Sequence, residues 1–160
     1  MKQDLSYIGL YFGAFYHPGS LAFTRDYLTT FYYEANNCSK KVELLYVNFD
    51  RSFIDFSHHT LLMPFLSLPF QNPQSSPLKK LLNVTNIPLL VFFEVQKPND
   101  GGTPLSEIDD FYANPLEVTS SKRLELASGD GYEIVMKHGR KALGVLDSIC
   151  EKRKEQARAE

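Results

Sequence analysis

A chain of 160 residues is long enough for one domain with a sizeable core, and 43% hydrophobic with 22% charged residues excludes wholesale disorder. The formal net charge of −2 lacks the basic surplus that nucleic acid or an anionic membrane surface would call for. The two cysteines, Cys38 and Cys150, form no C-x-x-C pair, so neither a disulfide framework nor a cysteine zinc site is expected.

Such sparse cysteine use suits an intracellular, reducing compartment; cytoplasm, cilium and mitochondrion are not distinguished. No apolar run approaches the ~20 residues needed to span a bilayer, and Met1-Lys2-Gln3-Asp4 lacks the apolar core of a signal peptide. Twelve Phe and nine Tyr with no Trp make an aromatic excess that can fill a core or cover a partner surface.

In chain order, Tyr7 to Gly13 reads as a strand apolar on both faces. A small-residue turn, His17-Pro18-Gly19-Ser20, leads to a helix from Leu21 with Ser20 as its N-cap. Phe23, Tyr27, Leu28, Phe31 and Ala35 share one side of that helix, and Tyr32 and Tyr33 point the other way, toward a contact surface. Asn36-Asn37 ends it. Val42 to Phe49 is a second strand, and Asp50-Arg51-Ser52 opens a short helix from Phe53 to His58.

Two prolines keep Met63 to Phe70 from being regular throughout, and Gln71 to Pro77 is a polar loop before a short helix, Leu78 to Leu82. Leu89 to Val95 is a third strand, entered through Ile87-Pro88. Lys97 to Asp130 is expected to be long and irregular, with an acidic patch at Glu107, Asp109 and Asp110 and a short strand at Arg123 to Ala127. Tyr132 to Lys137 reads as a further strand. From Arg140 a helix runs to the end, apolar at Ala142, Leu143, Val145, Leu146, Ile149 and Cys150, and charged all round from Glu151 to Glu160. This order gives an α/β sandwich with a mixed central sheet.

The blocks YFGAFYHPGSLAFT, YVNFDRS, MPFLSLPF, NIPLLVFF and EIVMKHGRKAL, in that order, resemble the tryparedoxin and nucleoredoxin branch of the thioredoxin-like superfamily. That resemblance covers most of Tyr7 to Leu143 and implies a thioredoxin-like three-layer sandwich over residues 1–150, with 97–130 as an insertion and 151–160 as a helical extension. It aligns Tyr16 with the family's Trp, His17 with its nucleophilic Cys, Ser20 with its resolving Cys, and Pro88 with its cis-proline. Pro18 and Gly19 lie between the two replaced positions. Thiol–disulfide exchange needs a thiolate attacker and a second thiol, and His17 and Ser20 supply neither. Cys38 and Cys150 are expected far along two helices. The resemblance therefore implies a degenerate redox site at Tyr16, His17, Pro18, Gly19, Ser20 and Pro88, with no catalytic residues.

Other chemistries fare worse. A Ser20–His17 hydrolytic pair lacks a nearby Asp or Glu to orient the imidazole. His58 and His59 diverge by roughly 100° on a helix and cannot readily share a metal ion. Glu107, Asp109 and Asp110 do not match a calcium loop. The aromatic set Tyr7, Tyr11, Phe12, Phe15, Phe23, Tyr27 and Phe31 is read as core. Lys152, Arg153, Lys154 and Arg158, interleaved with Glu151, Glu155 and Glu160, are read as a solvated face. No cofactor and no metal are expected. The function expected is that of a redox-inactive structural or adaptor subunit of a larger protein complex, bound to other protein subunits and not to nucleic acid or membrane. The alternative is a thiol-independent enzyme, or a glutathione- or peptide-binding module using the groove beside Pro88.

Overall fold

The computed structural model describes residues 3–96 and 108–159. Five strands form one sheet in the order β3-β2-β1-β4-β5, from β1 (Gln3–Gly13), β2 (Lys40–Asn48), β3 (Leu66–Ser67), β4 (Leu89–Val95) and β5 (Leu124–Ser128). β1 runs parallel to β2 and β2 to β3, whereas β4 is antiparallel to both β1 and β5, so the sheet is mixed.

Helices α1 (Pro18–Phe23) and α2 (Thr29–Ala35) are joined through a π-turn, Thr24–Leu28. They are followed by α3 (Phe53–Thr60), α4 (Ser75–Leu81), α5 (Ile108–Ala113), α6 (Pro115–Ser120), α7 (Gly131–His138), a 3₁₀ turn at Gly139–Lys141 and α8 (Ala142–Ala159).

The period-2 alternation of β1 divides the core. Tyr7 and Tyr11 point into one apolar layer, with Phe23, Phe31, Tyr46, Phe92, Val135 and Leu146. Ile8, Leu10 and Phe12 point into the other, with Val47, Leu78, Val91, Phe111 and Val118. Helices thus cover both faces of a central sheet, the expected three-layer sandwich.

Four local expectations are corrected. Tyr132 to Lys137 is not a strand but most of α7. Gly131, Ile134 and Val135 are buried at helical spacing, and packing of that stripe overrides the strand preference of Ile and Val. On the first helix, Tyr27 is 41% exposed and Tyr32 only 6%. The π-turn inserts an extra residue, confirmed by the Thr29 N–H bonding to Thr24 O, and shifts the buried stripe of α2 by roughly one residue's 100° of phase. Cys38 lies in the exposed turn after α2 and not within a helix.

Ala142, Leu146 and Cys150 bury the first part of α8, and in its charged end, 151–159, every residue is exposed except the half-buried Arg153. Arg153 reaches Glu94 Oε1 at 2.9 Å, Glu125 Oε1 at 3.3 Å and the Leu126 carbonyl at 2.5 Å. Lys154 reaches Glu94 Oε2 at 3.4 Å. The charge pattern alone did not distinguish these docking cations from their solvated neighbours.

Residues 97–107, including Glu107, lie outside the described residues, while 108–128 carries α5, α6 and β5; Asp109 and Asp110 fall on α5. Among the described residues no helix is long and apolar enough to cross a membrane.

Candidate functional site

The end of β1 carries the chain into a tight turn, closed by the His17 N–H donating to Ala14 O at 3.2 Å. Proline lacks an N–H and holds φ near the helical value, so Pro18 starts α1 as its first residue. That places the cap at His17, with φ −93° and ψ 112°, and not at Ser20 as the sequence suggested. His17 Nδ1 accepts the Ser20 N–H at 3.1 Å and lies 3.2 Å from Ser20 Oγ. Accepting a backbone N–H requires a bare Nδ1, which assigns the neutral ring its proton on Nε2.

Ser20 is fully buried inside the first turn of α1. The structure does bring Ser20 and His17 together, but as a cap around a hydroxyl with no solvent access. A Cβ on Gly19 would stand 3.0 Å from His17 Cε1 and 3.6 Å from Pro88 Cδ, so Gly19 lies between the two rings. The Ile87–Pro88 bond is cis. Tyr16 is exposed at the rim, with the Arg51 guanidinium 4.3 Å from its ring centre. The structure therefore gathers all six expected site residues at one end of β1. Cys38, in its turn, and Cys150, buried on α8, belong to other elements.

Beneath the turn runs a buried polar chain that the sequence reading missed. Tyr11 Oη lies 2.9 Å from Ser20 O and 2.8 Å from Thr24 Oγ1. Thr24 Oγ1 is 2.8 Å from His59 Nε2, and His59 Nδ1 is 2.8 Å from Tyr46 Oη. The Tyr46 hydroxyl donates to Asp50 Oδ2 at 2.9 Å, and Asp50 Oδ1 accepts the Phe15 N–H at 2.6 Å. An ionised Asp50 only accepts, so with it ionised the Tyr46 proton points to Asp50, the His59 Nδ1 proton to Tyr46, and the Thr24 proton to His59 Nε2. Every ring nitrogen and carboxylate oxygen in the chain then has a partner.

Burial pushes the His59 pKa down to about 4, since an imidazolium in this setting would be desolvated. Desolvation likewise raises Asp50, opposed by the hydrogen bonds from Phe15 and Tyr46. It also raises the Tyr11 and Tyr46 hydroxyls well above the usual tyrosine range.

The available signals for this chain were Thr24 at i+4 from Ser20 and His59 at i+3 from Phe56, both polar residues in apolar stripes. His58 points outward against Phe15, so the two histidines share no ligand. Among the described residues no group of three or more His, Cys, Asp and Glu is placed to hold a metal.

The thioredoxin-like family model matches residues 4–97. Nucleoredoxin of Danio rerio is 30% identical over 92 residues, covering 57% of this chain and 22% of that protein. Probable nucleoredoxin 3 of Arabidopsis thaliana is 25% identical over 119 residues, covering 74% and 30%. The chain thus spans less than a third of the length of these curated relatives. Among solved structures, tryparedoxin II of C. fasciculata aligns with a TM-score of 0.58 at 22% identity over 83% of this chain and 71% of that one. Tryparedoxin I of Leishmania major aligns with a TM-score of 0.51 at 26% identity over 74% and 80%. With the family model matching more than half of the sequence and the same mixed five-stranded sandwich beneath it, this chain belongs to the thioredoxin-like family, in its tryparedoxin and nucleoredoxin branch.

Proposed function

We propose that this chain is a redox-inactive thioredoxin-like protein acting as a structural or adaptor subunit of a larger protein assembly. The observation that carries the reading is the turn at the head of α1, where His17 and Ser20 cap a helix and no thiol is present. A helix N-terminus lowers a thiol's pKa and readies it for attack, but that field has no sulfur to act on here. A serine hydroxyl needs a base and an approach path, and Ser20 is fully buried. The turn is then a structural joint holding β1, α1 and Pro88 together. Exposed Tyr33, Phe53, Ile54 and Leu61 offer apolar contact area for protein partners.

Insulin-disulfide reduction tests the reading. The unaltered protein should show no turnover, and the double substitution His17→Cys, Ser20→Cys should introduce some. Turnover by the unaltered protein would overturn the proposal. The adaptor role is tested by affinity purification at native abundance; recovery as a free monomer alone would count against it.

A second reading rests on the groove beside Pro88. A largely apolar cavity of about 350 Å³, lined by Leu82, Asn86, Leu89, Val91 and Leu126, adjoins the Ile87–Pro88 bond. Its volume lies at the small end of the range of ligand pockets. Under this reading the protein holds an extended peptide there without reacting with it, and Leu126→Asp would abolish the binding.

A further inference from the structure

On the other side of Asp50 lies a second and more polar cavity of about 470 Å³, bordered by Asp50, Arg51, Phe49, Phe70, Gln71 and Lys79. Neither reading of the turn makes use of it. Its lining is unbalanced in hydrogen-bonding capacity. The Lys79 ammonium sits 3.8 Å from the centre of the Phe49 ring and, among the described residues, donates one hydrogen bond, to Asn48 O at 2.7 Å. Two of its three N–H groups are left over.

The Arg51 guanidinium is held over the Tyr16 ring, and among the described residues it has no hydrogen-bonding acceptor for its five N–H groups. Asp50, the carboxylate in the lining, already accepts the Phe15 N–H at Oδ1 and the Tyr46 hydroxyl at Oδ2, and its single charge does not balance two cations. The cavity thus presents two cations against one carboxylate, beside two aromatic rings.

A donor surplus of this kind is complemented by a group that brings several acceptor oxygens and negative charge. We propose that this cavity binds a small molecule bearing an oxyanion, a phosphate or carboxylate group held between Lys79 and Arg51. The apolar part of such a molecule lies against Phe49 and Phe70. The volume suits a compact metabolite and not a polymer. Desolvation holds the Lys79 pKa below its ordinary value, so an arriving anion stabilises an ammonium that is now undercompensated. The inference is independent of whether the His17–Ser20 turn has redox activity.

The test is a titration of the full, ¹⁵N-labelled chain with sodium pyrophosphate and, separately, sodium citrate, each against sodium chloride at matched ionic strength. Saturable shifts of the Gln71, Ser76 and Lys79 amides are expected with at least one anion. Stronger pyrophosphate binding identifies phosphate as the preferred group, and stronger citrate binding identifies carboxylate. Lys79→Met, which keeps the apolar stem over Phe49, and Arg51→Gln should each weaken binding at least tenfold; Lys137→Gln, on α7, should leave it unchanged. Arg51 is exposed, so Arg51→Gln carries the test should Lys79→Met fail to fold. Shifts no different from those of sodium chloride, or undiminished affinity in the folded variants, would overturn the proposal.

Discussion

His59 should make this protein acid-sensitive in a calculable way. Its ring is fully buried and neutral, held by Thr24 and Tyr46, with a pKa of about 4 against the ordinary 6.5. The unfolded chain therefore binds a proton on this residue before the native state does. Stability from a neutral buried histidine is fully present above the ordinary value and is lost as pH falls toward about 4. Each unit of separation corresponds to about 1.4 kcal/mol, so the whole window costs about 3 kcal/mol.

Asp50 works in the opposite direction. Its native pKa is raised, so its protonation favours the folded state as pH falls, and the unaltered protein alone blurs the effect. A His59→Gln chain shares every carboxylate and lacks the titration, which makes it the comparator. Urea unfolding followed by far-UV circular dichroism at neutral pH and near the native pKa gives the difference in stability between the two chains. That difference should move by about 2–3 kcal/mol in favour of His59→Gln on acidification. A difference constant within about 0.5 kcal/mol would refute the reasoning, because His59 would then not be titrating under burial.

Two further outcomes follow from the same packing. Tyr46→Phe removes the hydroxyl joining His59 to Asp50 and should cost about 2–3 kcal/mol, or roughly 4–12 °C in calorimetric Tm; a loss below about 1 kcal/mol would contradict the polar chain as drawn. Gly131→Ala would place its Cβ 2.6 Å from Leu90 O and 2.8 Å from Leu90 Cγ, so chemical denaturation should show a net loss of about 1–3 kcal/mol despite alanine's preference for helix. A stabilised variant would mean that α7 stands further from β4 than described.

The sheet was legible because β1, β2 and β4 are apolar runs bounded by turn residues, and β4 falls at the expected Leu89–Val95. The position of the site was legible too, since a strand that enters a helix through a small-residue turn is a local pattern. The reading failed where a local pattern admits two periods. Ile134 and Val135 favour a strand by side-chain shape, yet an eight-residue segment with buried residues at 131, 134 and 135 fits a helix equally well. It also failed where a contact joins distant residues. Nothing near Arg153 in the sequence announces Glu94, and nothing near His59 announces Thr24 or Tyr46. The cap lies at His17 and not at Ser20 because Pro18 fixes where the helix starts, which overrides the cap preference of serine.

The π-turn at Thr24–Leu28 sets a different kind of constraint on this chain. Thr29 gives both its N–H and its hydroxyl to Thr24 O, closing a loop one residue longer than an α-turn. Which side chains of α2 face the core is therefore fixed by a count of residues and not by the chemistry of any one of them. A point substitution can weaken the bulge but cannot remove the surplus residue. Deleting a single residue between Thr24 and Leu28 would restore the straight helix, turning Tyr32 away from its buried carboxylate partner Glu43 and setting Phe31 off its ring contact with Phe92. For this segment, packing constrains the number of residues more tightly than the identity of any one of them.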